Sequence, residues 1–427
     1  MSDRRPVLVV GSGGREHALA VALARNAPVV VVPGNPGMAS TAHAFPISVS
    51  DLDPTAHDVQ LVVIGPEAPL VDGLADQLRG LGRVVLGPGA DGAQLEGSKT
   101  FMKELLDAAH VPTAGFGTFT SVAEALEFLE TMSPPYVIKT DGLASGKGVL
   151  VTDDVAEARD DVIDKLMGES FGAAGRRIVI EEGLTGIECS LLALCDGKRV
   201  FALTPAQDFK RLMDGDLGPN TGGMGAYTPM PSIRPEEVAS LVATTIQPLV
   251  SAFIDLGIDY RGVLYAGLML TSSGPKVLEF NARFGDPETE VLLPLLQGNL
   301  VELFTKIGNG ELEDVQPATG AAVCVVLAAP GYPEAPRGGM PISGLGPDGQ
   351  LANPREGVTV FHSGTVRPDP EGPFLVKGGR VLAVTAVGAS LREARTRVYD
   401  AVAQIHFDGM QYRTDIALEA AQREELG

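Results

Sequence analysis

The sequence predicts a multidomain chain of combined α/β and α+β class, on three observations. Short apolar runs alternate with helix-compatible stretches through roughly the first hundred residues, the pattern of a buried parallel sheet. From Ser98 the texture changes to strand pairs and glycine-rich loops, and beyond Gly320 to a third, β-rich region. A length of 427 residues accommodates roughly two to four domains.

Four β-type runs, Val7–Val10, Val29–Val32, Leu61–Ile64 and Val84–Leu86, each lead into a glycine loop: GSGG (11–14), PGNPG (33–37), GPE (65–67) and GPG (87–89). Helical stretches such as Glu16–Arg25 and Leu70–Arg79 lie between them. Such a unit is Rossmann-like, and open sheets of this kind bind ligands at the carboxyl ends of their strands, where all four loops fall. Gly11-Ser12-Gly13-Gly14 also opens a helix, so its N–H groups and the helix dipole favour an anion. The competing reading is a tight turn that packs helix on strand. A dinucleotide fingerprint would place glycine where Glu16 stands and an acid where Pro33-Gly34-Asn35 stands, so a nicotinamide cofactor is disfavoured.

A helix is expected from Ser98 to about Ala109, stopped by Val111-Pro112. Ser121 with Glu124 reads as a capping box for the next helix. Strand, loop and strand then fill 136–151, followed by a helix to about Met167 and the strand Ile178–Ile180. Residues 207–229 read as one long, polar, glycine-rich loop, and such loops inside compact domains are commonly lids. A surface insert is the alternative. After a helical stretch at 235–256, Gly262–Leu270 and Lys276–Phe280 pair as a hairpin across Ser272–Gly274. The unpatterned stretch Glu311–Gly320 marks a boundary. Beyond it lie β runs at Ala321–Ala328, Val358–Phe361 and Val381–Val387, then a helix from Ser390 capped by Glu393. The expected division is an N-terminal domain at 1–98, a central domain at 99–315 with a mobile lid subdomain at about 118–190, and a small C-terminal domain at 320–427.

The formal net charge of -21 would repel phosphate backbones and anionic bilayers, so neither nucleic acid nor membrane is an expected partner. Cys189, Cys195 and Cys324 have no CxxC spacing and read as core thiols in a reducing compartment. The run Val7–Val10 is too short for a signal peptide, and no segment approaches ~18 continuous apolar residues. A cytoplasmic monomer or weak oligomer is expected.

The sharpest motif is Tyr136-Val-Ile-Lys139, Thr140-Asp-Gly-Leu-Ala-Ser145-Gly146-Lys147-Gly148, then Val149-Leu-Val. Its spacing is wrong for a P-loop, and a strand follows where a helix should. It reads as a glycine-rich flap between antiparallel strands, laying N–H groups over nucleotide phosphates while Lys139 and Lys147 neutralise charge. A flexible surface hairpin is the bland reading. In Ile178-Val-Ile-Glu181-Glu182-Gly-Leu184-Thr-Gly-Ile-Glu188, backbone groups can read adenine and a carboxylate can grip ribose hydroxyls, although acids after a strand are usually solvated ends. In Glu279-Phe-Asn281-Ala-Arg283-Phe-Gly285-Asp286-Pro287-Glu288, strand alternation puts Glu279 and Asn281 on one face. Two oxygen ligands beside phosphates suit Mg²⁺, and Arg283 continues that face to hold a transferred phosphate. A structural salt-bridge cluster is the alternative. Asp208-Phe-Lys210-Arg211 and Asn220-Thr221-Gly222-Gly223 lie in the long polar loop.

Together these residues resemble the ATP-grasp superfamily and, within it, the phosphoribosylamine–glycine ligase family. GSGGREHA, PGNPG, GPE, IKTDGLASGKGV, QDFKR, GPNTGGMGA and EFNARFGDPETE occur in the family's order over about residues 7–290. The resemblance implies an ATP-grasp core between the Rossmann-like and C-terminal domains. It implies ATP-dependent joining of glycine to 5-phosphoribosylamine through glycyl phosphate, in purine synthesis, with Mg²⁺ or Mn²⁺. Lys99, Lys139 and the flap Ser145, Gly146, Lys147 and Gly148 become phosphate contacts. Glu181, Glu182, Leu184 and Glu188 become nucleoside contacts, and Glu279 and Asn281 metal ligands. Arg283, Asp286 and Lys210 are the implied catalytic residues. Asp208, Asn220, Thr221, Gly222, Gly285, Pro287 and Glu288 are implied at the substrates, and Gly11, Ser12, Gly13, Gly14, Asn35, Pro36, Gly37 and Glu67 at the phosphoribosylamine. One departure is Gly267-Leu268-Met269-Leu270, where many ATP-grasp enzymes carry a further metal-binding glutamate, so how a second Mg²⁺ would be held is open. Another ATP-grasp carboxylase, a non-catalytic nucleotide sensor and a dinucleotide oxidoreductase are the weaker alternatives.

Overall fold

The computed structural model describes residues 5–40, 42–143, 148–168, 176–313, 315–316 and 318–424. The four N-terminal runs form the parallel sheet expected of them. Its spatial order is Ile47–Val49, Val29–Pro33, Val7–Gly11, Leu61–Ile64, Val85–Leu86, so the central strand is the first in sequence. The central strand is buried on both faces, which is why it reads as an unbroken apolar run rather than an alternating one. The helix expected at Leu70–Arg79 is two helices, Glu67–Val71 and Leu74–Gly80, because Gly73 takes φ +83° between them.

Helix Lys99–Ala108 is capped by Ser98, whose Oγ accepts from Phe101 N at 3.1 Å. An antiparallel sheet follows, ordered Phe116–Phe119, Ile178–Glu182, Tyr136–Thr140, Val149–Thr152. Helices Val122–Glu130 and Val155–Met167 cover it over a core of its own, including Leu129, Ile138, Val162 and Ile180. The Ser121–Glu124 capping box is not formed, since Ser121 makes no side-chain cap bond; Asp154 does cap the second helix, accepting from Ala156 N at 2.8 Å. The central sheet, Val200–Ala202, Ile187–Asp196, Arg261–Thr271, Gly274–Asn281, is antiparallel and contains the predicted hairpin.

The 207–229 region is not one long loop. It holds strands Gln207–Asp208, Arg211–Met213, Leu217–Asn220 and Gly225–Thr228. The first and last of these enter the C-terminal sheet, ordered Gln207–Asp208, Gly225–Thr228, Ala321–Ala328, Arg380–Gly388, Val358–His362. The physical reason is burial: Met224, Ala226 and Thr228 are sealed in the core, and the surrounding glycines had hidden that apolar content. The predicted cap of helix Leu391–Val402 is present, with Ser390 Oγ accepting from Glu393 N at 3.2 Å. By length and composition the 21-residue run Pro235–Asp255 is apolar enough to cross a bilayer. In the folded chain Ile246, Leu249, Val250 and Phe253 turn its apolar side into the central core. All three cysteines are buried and free, and burial pushes the Cys189 and Cys195 thiols up to about 12.

Two buried histidines join the first helix to the C-terminal sheet. His362 N donates to His17 Nδ1 at 2.8 Å, and the His362 ring bonds Gly349 O at 2.8 Å and Thr365 Oγ1 at 3.0 Å. Gly37 packs so closely on this ring that a Cβ would lie 2.1 Å from it. Burial lowers both histidines, His362 to about 4. The unfolded chain protonates near pH 6.5 and the folded one does not, so stability is full above that value and falls as pH drops toward 4. Each histidine should contribute a slope of roughly 1.4 kcal/mol per pH unit in that window. Urea unfolding at pH 7.5 and pH 5 checks this; equal midpoints would exclude it.

Candidate active site

The carboxyl edge of the N-terminal sheet, the antiparallel sheet that contains Tyr136–Thr140, the central sheet and the strands of the 207–228 region enclose a cleft of about 1260 Å³. On the side of strand Tyr136–Thr140, Lys139 Nζ lies 2.8 Å from Glu181 Oε1 and donates to Leu278 O at 3.1 Å. Lys99 Nζ donates to Gly142 O at 3.1 Å, and Asp141 anchors the start of the same helix through Ser98 Oγ and Thr100 N. Gly148 lines the cleft; the predicted contacts Ser145, Gly146 and Lys147 lie outside the described residues.

Glu279 and Asn281 project from one strand into the cleft, as alternation predicts. Glu279 makes no hydrogen bond or ion pair among the described residues. Burial would raise its carboxyl, but Lys210, Lys139, Lys99 and Arg283 outweigh that and hold it below the usual carboxylate range. An ionised, unpaired carboxylate beside an amide oxygen fits a hard divalent cation that takes few protein ligands. Gly267 is the residue paired opposite Glu279, so no second carboxylate comes from that position.

Arg283 is half-buried between three elements. Its Nη2 donates to Glu96 at 2.7 Å, Nε to Glu67 at 3.2 Å and Nη1 to Phe284 O at 3.2 Å. Behind Glu279 lies a second polar cluster. Lys210 Nζ is 2.9 Å from both Asp208 and Glu188, while Glu288 Oε1 accepts from Tyr265 OH at 2.6 Å and Ser190 Oγ at 2.9 Å. Burial raises the Asp208 carboxyl to about 7 despite Lys210. Asp286 Oδ1 pairs with Arg380 at 3.1 Å, and Arg380 also donates to Gly222 O and to Asp286 O. Thr221 Oγ1 donates to Lys210 O at 2.8 Å and, with Asn220, lines the cleft. Gly285 and Pro287 frame Asp286 in the turn that leads into helix Glu288–Leu292.

Models of three phosphoribosylglycinamide synthetase domains match the chain in order: the N domain over residues 5–96, the ATP-grasp (A) domain over 97–289 and the C domain over 322–419. The chain belongs to the phosphoribosylglycinamide synthetase family. It is 45% identical to the phosphoribosylamine–glycine ligase of Caulobacter vibrioides over 99% of this chain and all of that one. It is 48% identical to that of Streptomyces coelicolor over 97% and 99%. The crystal structure of the Thermotoga maritima phosphoribosylamine–glycine ligase superposes with a TM-score of 0.83 at 36% identity, covering 96% of this chain and 99% of that one. A Campylobacter jejuni biotin carboxylase shares the fold, with a TM-score of 0.69 at 11% identity over 96% and 93%.

Several residues of this synthetase-family chain sit differently from their sequence expectations. Glu181 is not a carboxylate open to ribose. It is buried in its strand and held by Lys139 and Lys103, each at 2.8 Å. The Glu182 carboxylate pairs with Lys276 at 2.6 Å, while Leu184 and Glu188 line the cleft. The first glycine loop is partly closed to an external anion. Gly13 N donates to Glu16 Oε2 at 2.6 Å and Arg15 N to Asp286 Oδ2 at 3.3 Å, so the protein's own carboxylates meet that helix end. Asn35 is a structural tie: Nδ2 donates to Ser12 O and His362 O, and Oδ1 accepts from Gly37 N. Ser12 and Pro36 stay at least partly exposed, and Gly11 and Gly14 are buried.

Glu96, Tyr265, Ser190 and Arg380 were missed by motif reading. So was Glu290, a fully buried carboxyl whose two oxygens have no hydrogen-bond partner among the described residues. It lies under the first loop, where a Cβ on Gly14 would come within 2.5 Å of it. Burial, then Asp286, pushes its carboxyl well above the usual range. Its stability contribution is therefore full at low pH and lost as pH rises toward the folded-state value. Glu290→Gln, a neutral isostere, should raise stability by about 1–2 kcal/mol at pH 8 and less at pH 5.5. Denaturant midpoints at the two pH values measure this, and a lower midpoint at pH 8 would contradict it.

Proposed function

We propose that the cleft carries out its family's reaction as a two-step activation. The reaction is ATP-dependent ligation of glycine to 5-phosphoribosylamine, giving glycinamide ribonucleotide, ADP and phosphate in purine biosynthesis. A carboxylate is a poor electrophile; transfer of the γ-phosphoryl group to glycine makes glycyl phosphate, which the amine then attacks with loss of phosphate. Catalysis of such transfers is positioning and charge neutralisation.

Lys99, Lys139 and the flap around Gly148 hold the phosphates. The backbone at Glu182 and Leu184, with Glu188, receives the nucleoside. Glu279 and Asn281 would hold Mg²⁺ or Mn²⁺, which when bound would neutralise charge on the phosphates. Arg283 faces the transferred phosphoryl group. Asp208 and Glu288 hold the glycine ammonium, with Lys210 keeping their charge balanced. The N-terminal loops, with Glu67 and Asp286, face the phosphoribosylamine. We place the protein in the cytoplasm as a monomer or weak oligomer.

The observation that carries this reading is the unpaired Glu279 carboxylate, ringed by Lys99, Lys139, Lys210 and Arg283 in one cleft. Glycine-dependent ADP release, measured with and without phosphoribosylamine, tests it. Release that ignores glycine, or absence of adenine-nucleotide binding, would sink it.

A further inference from the structure

Lys103 sits one helical turn beyond Lys99, on the same helix, and the proposed reaction gives it no task. Its side chain is completely buried and does not reach the cleft. The ammonium lies 2.8 Å from Glu181 Oε2 and donates to Thr113 Oγ1 at 2.7 Å, and that hydroxyl in turn donates to Val277 O at 2.7 Å. It also stands 5.6 Å over the Phe116 ring. The other Glu181 oxygen lies 2.8 Å from Lys139 Nζ, which bonds Leu278 O, the carbonyl next to Glu279. Helix Lys99–Ala108, the sheet strands Tyr136–Thr140 and Ile178–Glu182, and strand Gly274–Asn281 thus meet in one buried cluster of two lysines and one glutamate.

An ammonium has three donors. Leu278 O takes one from Lys139, and the contact with Glu181 Oε1 is an ion pair without hydrogen-bond geometry, so donors remain for a ligand. A carboxylate paired with Lys139 alone would cancel its charge. Shared with Lys103, it leaves the cluster one net positive charge, and the lysine of the pair that faces the cleft, beside Lys99, is Lys139.

We propose that Lys103 is a positioning residue: by sharing the Glu181 carboxylate it keeps Lys139 only partly neutralised and aimed at the nucleotide phosphates. The inference rests on the reading that this cleft binds ATP. Burial lowers the Lys103 ammonium to about 8, Glu181 opposing, so it is still largely charged at neutral pH.

The test is ATP binding and turnover by the full-length Lys103→Met, Glu181→Gln and Lys103→Met/Glu181→Gln variants. Lys103→Met should weaken ATP binding by about tenfold with the glycine KM unchanged. The double variant, which restores one positive charge in a neutral frame, should return to within about threefold of the unaltered protein. A packing role alone predicts a double variant no better than Lys103→Met, and that result overturns the proposal. If Lys103→Met does not fold, Glu181→Gln decides: it should bind ATP at least as tightly as the unaltered protein, and weaker binding refutes the idea. Failure of the unaltered protein to bind ATP would instead refute the functional reading.

Discussion

Glu279→Ala should abolish divalent-cation-dependent ligation while leaving the protein folded. Glu279 is within the cleft, unpaired among the described residues, and surrounded by Lys210, Lys139, Lys99 and Arg283. No neighbouring donor among those residues loses a partner when it is removed, so folding should tolerate the change. The chemical loss is different. Without this carboxylate the strand offers only Asn281 to a cation, and Gly267 opposite it adds nothing. Removing one well-placed electrostatic group from phosphoryl-transfer machinery typically costs about 10²–10³ in rate, and loss of the ion itself more. Turnover across a magnesium titration, together with the thermal midpoint, measures both halves. Unaltered turnover would reject the metal assignment.

Arg283→Ala should fail in both respects. The guanidinium is the shared partner of Glu67 from the third N-terminal loop and Glu96 from the helix before Ser98. Burial raises the Glu96 carboxyl even with Arg283 present, whereas for Glu67 burial is outweighed by Arg283 together with Arg15 and local hydrogen bonds, and the carboxyl stays low. Truncation leaves two half-buried acids facing each other; breaking a fully buried pair from one side typically costs roughly 3–5 kcal/mol, and the partial exposure of Glu67 places the expected loss below that range. Urea unfolding should show that loss. ADP release should fall even at temperatures where the variant is folded, because the same group is proposed to face the transferred phosphoryl. A variant with unchanged stability would mean that the Glu67–Arg283–Glu96 bridge is not made in solution.

The sequence announced those parts whose chemistry is local. Four apolar runs ending in glycine loops disclosed the parallel sheet. Strand alternation placed Glu279, Asn281 and Arg283 on one face before any fold was known, and Lys139 declared itself at a strand end. The parts that stayed hidden depend on partners far along the chain. Arg380 opens an ordinary apolar strand and meets Asp286 across 94 positions. Lys103 is one charge among several on an amphipathic helix, and only strand Ile178–Glu182 gives it Glu181. Glu181 itself looked like a solvated strand end because no local pattern shows that two lysines bury it. In the first glycine loop Gly13 N is bonded by Glu16, and a backbone N–H satisfied in this way and one left open look the same in a string of letters. Strand Gly225–Thr228 escaped notice because glycine-rich flanks diluted a short buried stretch.

That last strand also governs how the molecule must be assembled. Gly225–Thr228 lies between Gln207–Asp208 and Ala321–Ala328, so its second row of peptide groups is satisfied only by chain made about a hundred positions later. During synthesis the wall bearing Asp208 and Lys210 therefore waits with a bare sheet edge, a template for wrong pairing, until the final portion emerges from the ribosome. Division of the polypeptide at the polar stretch before Gly320, tempting from composition alone, would tear one sheet in two rather than separate two modules.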